Sequence, residues 1–203
     1  MKKLDTLVVA TWNPGKRDRY LQIFAERVNN ILVLNDLNIK EKAVENGSIA
    51  EENAEIKAKF YLNKTNLPTF SEDESLFVDF LPDDKQPGVH VRRINGKDEV
   101  SDDELLKYWE NIIRDVPEEK RTGYWHTAFC LALPTGEIVT GSVDYPIQFF
   151  SKSSIYIKGW PLSSIQGSAL IGKPHSEYTR EENAYINKRA EELLLEKLNE
   201  LIN

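Results

Sequence analysis

Leu7-Val8-Val9-Ala10 is an unbroken apolar run ending in Thr11, the pattern of a strand buried on both faces. Trp12-Asn13-Pro14-Gly15 then breaks it, because proline and glycine favour a turn. From Lys16 the spacing becomes helical, with Tyr20, Ile23, Phe24 and Val28 on one face. Residues 31–34 form a second short apolar run. Strand, loop, helix and strand in this order predict a β-α-β start with a parallel pair.

Three capping boxes follow: Ser48 with Glu51, Ser101 with Glu104, and Thr179 with Glu182. In each, the hydroxyl and the carboxylate satisfy amides at a helix start. The first predicts an alanine- and lysine-rich helix reaching Asn63, with Pro68 beyond its end. The second predicts a helix that buries Leu105, Tyr108, Trp109, Ile112 and Ile113. The third opens a long C-terminal helix with the stripe Ile186, Ala190, Leu193, Leu194, Leu198 and Leu201. Residues 124–133 and 137–143 read as strands, joined by a hairpin at Pro134-Thr135-Gly136. The fold class is α/β. No repeat, low-complexity tract or flexible linker interrupts the pattern, so residues 1–203 read as one domain, with two lobes sharing a continuous sheet.

Composition narrows the function. A hydrophobic fraction of 40% and a charged fraction of 29% over 203 residues suit a water-soluble domain with a sizeable core. No run is long enough for a signal peptide or a bilayer span, so the expectation is a cytoplasmic protein with no membrane partner. The net charge of -7 weighs against nucleic acid as a partner, since backbone binding needs clustered Lys and Arg. A small phosphorylated ligand needs only a local nest of donors and a divalent cation. Cys130 is the lone cysteine, which excludes a disulfide within the chain and predicts a buried thiol. His90, His126 and His175 lack metal-ligand spacing and are not assigned to catalysis.

Three segments could carry chemistry. Thr11, Asn13 and Lys16 lie between a buried strand and a helix start, where free backbone N–H groups and the helix dipole favour an anion. The same residues also fit a plain turn with a solvated lysine, and the spacing is not that of a P-loop. Glu72-Asp73-Glu74 lies at the predicted strand end where an open α/β sheet places its ligands, and carboxylates suit Mg²⁺. Three adjacent acids on a loop are also ordinary surface charge. Asn53 and Lys57 stand at i and i+4 and share a face of the second helix, either towards a ligand or as a structural pair.

In order and spacing these segments resemble the inosine triphosphate pyrophosphatase-like, or Ham1-like, family. Thr11, Asn13 and Lys16 match its Thr-x-Asn-x-x-Lys; Glu45 and Gly47 match Glu-x-Gly. Glu52, Asn53, Ala54, Lys57 and Ala58 match its Glu-Asn-Ala-x-x-Lys-Ala helix. Glu72, Asp73, Leu76, Val78 and Asp79 match an acidic pair before a Leu-x-Val-Asp strand, and Pro87-Gly88-Val89 with Arg93 matches a further stretch. The resemblance implies a mixed central sheet flanked by helices, in two lobes with a cleft between them. It implies a homodimeric, Mg²⁺-dependent enzyme that hydrolyses ITP, dITP and XTP to the monophosphate and pyrophosphate. Asn13, Lys16 and Lys57 would hold the triphosphate, with Thr11 shaping the loop and Asn53 among the substrate contacts. Glu45, Glu72 and Asp73 would handle metal and water, with Asp73 orienting or deprotonating the water and both lysines neutralising the leaving pyrophosphate.

Two base-reading motifs of the family are altered. An aromatic-Gly-aromatic-Asp-Pro stretch becomes Lys158-Gly159-Trp160-Pro161, and Lys-Asn-x-x-Ser-His-Arg becomes residues 183–189, where only Arg189 survives in place. Trp160 could stack on a base or pack between lobes. Lys188 and Arg189 are donor-only side chains that suit a 6-oxo purine and mismatch adenine, or they project into solvent. A nucleotide-binding regulatory module with altered base specificity is the competing reading.

Overall fold

The computed structural model describes residues 4–94, 96, 97 and 99–202, the last six by backbone only; Leu198 and Leu201 of the C-terminal stripe thus lie outside the described side chains. β1 (Leu4–Val9), α1 (Pro14–Phe24) and β2 (Val28–Val33) form the β-α-β start, with β1 and β2 parallel and Val8 opposite Leu32. After α2 (Ala50–Thr65), β3 (Thr69–Val78) pairs in parallel with the other edge of β1. The sheet continues through β4 (Thr122–Ala132), β5 (Ile138–Phe149) and β6 (Gln166–Ser168), in the order β2-β1-β3-β4-β5-β6. β6 is antiparallel to β5, so this is a mixed α/β fold with helices flanking a mixed sheet.

β1 therefore lies between β2 and β3, and the chain leaves it on one side and returns on the other. That is the switch point at which open α/β sheets bind their ligands. On β3, β1 pairs with Thr69 and Phe70, and the Ala10 N–H still donates to Phe70 O. From Ser71 onward β3 runs past the end of β1.

Contacts divide the chain into two compact units. One comprises 1–74, 127–143 and 194–203. Its core packs Tyr20 of α1 tilted and Phe24 edge-on against Phe70, and stacks Phe70 on Phe129, with ring centroids 4.7, 5.0 and 6.2 Å apart. Ala54 and Ala58 of α2 meet Cys130 and Ala132, small residues that let helix and sheet approach closely. The second unit, 75–126 and 144–193, is built on α3 (Asp102–Ile113), whose Trp109 stacks on Phe149 at 5.2 Å among Leu76, Val78, Leu105 and Ile165. The long helix α4 (Arg180–Ile202) contributes to both units.

Several local expectations shift. Val28 opens β2 instead of extending α1, because the helix closes at Ala25 and Val28 finds a cross-strand partner in Leu4. The Ser101 and Thr179 capping boxes form, but that of Ser48 does not. Ile49 is the N-cap of α2 without a side-chain bond, while the Ser48 N–H donates to Glu52 Oε2 at 2.6 Å. The hairpin turn closes as expected, with Leu133 N donating to Glu137 O and Gly136 at a φ of +90°. The acidic triplet is no loop: it sits inside β3, and Glu72 is 2% exposed.

Candidate active site

α1 begins at Asn13, whose Oδ1 accepts from the N–H groups of Gly15 (2.9 Å) and Lys16 (3.2 Å). The backbone donors expected to be free for an anion are thus taken by the cap. Thr11 Oγ1 accepts from the Asn13 N–H at 3.2 Å, which shapes the loop. Asn13 Nδ2 carries no hydrogen bond among the described residues, so this loop offers side-chain donors. A hollow beside it, lined by Thr11, Trp12, Asn13 and Arg17, has a volume of about 30 Å³ and takes water rather than a nucleotide.

Strand alternation sorts the acids. Residues 72 and 74 share one face of β3 and residue 73 takes the other. Lys16 Nζ lies 2.9 Å from Glu72 Oε1 and 3.1 Å from Glu74 Oε2, with Thr127 Oγ1 donating to Glu74 at 3.4 Å. On the other face Asn53 and Lys57, one turn apart on α2, both reach Asp73. Lys57 Nζ pairs with Glu45 at 2.8 Å and Asp73 at 3.4 Å, and it donates to the backbone carbonyl of Glu72 at 3.0 Å. That carbonyl lies on the stretch of β3 beyond β1. The two groups therefore occupy opposite faces of one strand, on the stretch of β3 beyond its pairing with β1.

Asn53 departs from its expected role. It is 4% exposed, its Oδ1 accepts from the Gly47 N–H at 2.8 Å and its Nδ2 donates to Asp73 Oδ2 at 3.1 Å. Both ends of the amide are used inside the protein, which fits support of Asp73 better than substrate contact.

Electrostatics within the cluster are opposed. Burial pushes the Glu72 carboxyl above its ordinary range and outweighs the attraction of Lys16. Asp73 is raised likewise, by burial against the pull of Lys57 and Lys16. For Glu74 burial also opposes ionisation, but Lys16 prevails and the carboxyl titrates low. Burial works against the Lys16 ammonium, yet Glu72, Glu74 and Asp73 more than offset it, and Lys16 stays protonated. The charges of Lys16 and Asp73 act on each other even though the residues lie in different groups.

Glu74 and the Gly47 N–H, named in the sequence without a role in the site, and Thr127, not named there, belong to this cluster. The period of two from Glu72 would have picked out Glu74 once the triplet was read as strand; nothing local points to Thr127. Trp160, Lys188 and Arg189 lie in the second unit. Trp160 is 47% exposed, not packed away, and Lys188 and Arg189 make loose contacts with Glu192 at 4.0 and 3.8 Å.

Comparison with known proteins covers the same segments. The dITP/XTP pyrophosphatase of Caldanaerobacter subterraneus is 32% identical over 203 residues, covering 97% of this chain and 95% of that protein. That of a Thermoanaerobacter species is 30% identical over 189 residues, covering 93% and 92%. Among solved structures, a nucleoside-triphosphatase / dITP/XTP pyrophosphatase from Mycobacterium abscessus matches with a TM-score of 0.72 at 25% identity, covering 94% of this chain and 97% of that one. The Ham1 family profile matches residues 7–148, which include every member of the lysine and carboxylate cluster and stop short of Trp160, Lys188 and Arg189. With its fold, its motifs and most of its length in common, the chain belongs to the Ham1 family.

Proposed function

We propose that residues 1–203 act as a single nucleoside triphosphate pyrophosphatase domain, Mg²⁺-dependent, that hydrolyses ITP, dITP and XTP to the monophosphate and pyrophosphate. The observation that carries this reading is the convergence of Lys16 and Lys57, from two helices, on Glu72-Asp73-Glu74 where β3 outruns β1. Two lysines suit a polyphosphate, and three carboxylates suit a hard cation and a water.

The donor set fits Mg²⁺. Glu72 Oε1 meets Lys16 Nζ at 2.9 Å, while Oε2 is buried without a partner, so the group has unused acceptor capacity. Mg²⁺ is held by one or two carboxylates together with phosphate oxygens, not by an all-protein cage. Of the three residues expected to hold it, Glu72 is the one that would; Asp73 lies on the opposite face of β3, and Glu45 is reachable only by giving up Lys57. When bound, the ion supplies charge neutralisation at the phosphates.

The protein's own part is positioning and charge. Asp73 orients a water towards the α-phosphorus and takes up its proton as the new P–O bond forms. The bond from the α-phosphorus to the bridging oxygen breaks, and negative charge collects on the departing pyrophosphate. Lys16 and Lys57 neutralise that charge, with Asn13 contributing its free amide N–H. Trp160 stacks on the base, and Lys188 with Arg189 donates to a 6-oxo group that adenine lacks. The enzyme works in the cytoplasm as a homodimer, which light scattering would verify.

Pyrophosphate release from ITP, XTP, dUTP, GTP and ATP, with Mg²⁺ and with chelator, tests the reading. We expect Mg²⁺-dependent turnover of ITP and XTP well above that of ATP. Equal rates on ATP and ITP would remove the 6-oxo preference. Binding of nucleotide, seen as a thermal shift, without turnover would favour the regulatory module.

A further inference from the structure

We infer that Asn53 is a positioning residue that clamps Asp73 in its working orientation, and that the Gly47 N–H sets the clamp; the inference rests on the role of Asp73 proposed above. An asparagine amide can be turned either way, with donor and acceptor exchanged. Here the choice is forced. The Gly47 N–H can only donate, so it fixes Oδ1 on its own side at 2.8 Å. Nδ2 must then face Asp73, where it meets Oδ2 at 3.1 Å. The bond leaves Asp73 Oδ1, which lies 3.4 Å from Lys57 Nζ, as the oxygen with room for a further partner. Rotation of the carboxylate would break one contact or the other.

Burial makes the clamp rigid. At 4% exposure Asn53 has little water to replace a lost partner, and an unpaired amide there is costly. Gly47 is fitted to the same purpose. A Cβ on it would stand 2.8 Å from Asn53 Oδ1 and 2.6 Å from Glu52 Cβ, closer than real Cβ contacts come. Any side chain at 47 therefore displaces the amide. Glu45, two residues before Gly47, holds Lys57, so the same short loop steers both groups that face Asp73.

The experiment measures kcat and KM for pyrophosphate release from ITP in wild type, Asn53→Asp, Gly47→Ala and the double variant, with melting temperatures alongside. Asn53→Asp keeps the acceptor for Gly47 and the size of the side chain, and it sets a second carboxylate against Asp73 in place of the donor. We expect kcat to fall at least ~10-fold in each single variant, KM to stay within about twofold, and the double variant to be no slower than the slower single one. Full kcat in Asn53→Asp, a change confined to KM, or losses that multiply in the double variant would overturn the clamp. Wild-type protein that releases no pyrophosphate from any triphosphate would instead remove the proposed function on which the clamp rests. Should Gly47→Ala melt far below wild type, Asn53→Asp carries the test alone.

Discussion

Lys16 Nζ lies 2.9 Å from Oε1 of Glu72, and the Glu72 side chain is 1% exposed while that of Lys16 is 19% exposed. The lysine is what makes a charge tolerable at the centre of β3. Even with it in place the Glu72 carboxyl titrates above its ordinary 4.5. Such a group favours the fold below its unfolded pKa and ceases to do so as pH rises through its folded value.

Lys16→Ala should therefore cost stability in a pH-dependent way. At pH 4.5 Glu72 takes up a proton, only the pair with Glu74 is still lost, and the loss is smaller. At pH 8 the loss should reach about 3 kcal/mol, as when one partner of a buried pair is removed. Urea unfolding of the metal-free protein at both pH values measures this. An equal loss at the two would show that the pair does not govern Glu72.

Asp73→Asn separates activity from stability. Burial already disfavours the charged form of Asp73, so a neutral isostere should leave the melting temperature at pH 8 equal or higher. Loss of the group that orients and deprotonates water should lower kcat/KM by about 10²- to 10⁴-fold. Retention of wild-type kcat/KM would move the catalytic carboxylate elsewhere in the cluster.

Cys130 should be inert in the folded protein. Burial pushes its thiol up to about 12 from an ordinary 9.0. The sign follows: stability from this group is complete below pH 9 and is lost as pH rises through about 12. At pH 8 a thiol reagent should label Cys130 only as fast as the protein unfolds, and denaturant should accelerate labelling steeply. Rapid labelling without denaturant would contradict the burial.

Gly123 is a point of close approach within the second unit. A Cβ there would meet Phe77 O at 2.3 Å and Val78 Cα at 2.9 Å, both backbone atoms of β3 that cannot turn aside. Gly123→Ala should destabilise by about 1–3 kcal/mol, read from the denaturation midpoint. No change would mean that β3 and β4 separate there at little cost.

Much of the site could be read from the chain. Thr11, Asn13 and Lys16, then Asn53 and Lys57, then Glu72 and Asp73 stand at spacings that mark them without coordinates, and each lies on or beside the expected element. Two of three capping boxes were legible because the hydroxyl and the carboxylate that form them sit within one helical turn. The Ser48 box fails because α2 starts after Ile49 and Glu52 takes the Ser48 N–H. The acidic triplet could equally have been surface charge, since its burial depends on lysines far away in sequence.

What the sequence determined by itself is what short-range chemistry fixes: the β-α-β start, the helix caps, the hairpin turn and the identity of the charged residues. Only the tertiary structure decided how those charges are shared. An isolated carboxylate favours water. It enters a sheet only when cations on separate helices meet it there, so the sorting of Glu72 and Glu74 towards Lys16, and of Asp73 towards Asn53 and Lys57, is set by helix packing on the two faces of β3 and not by any local pattern.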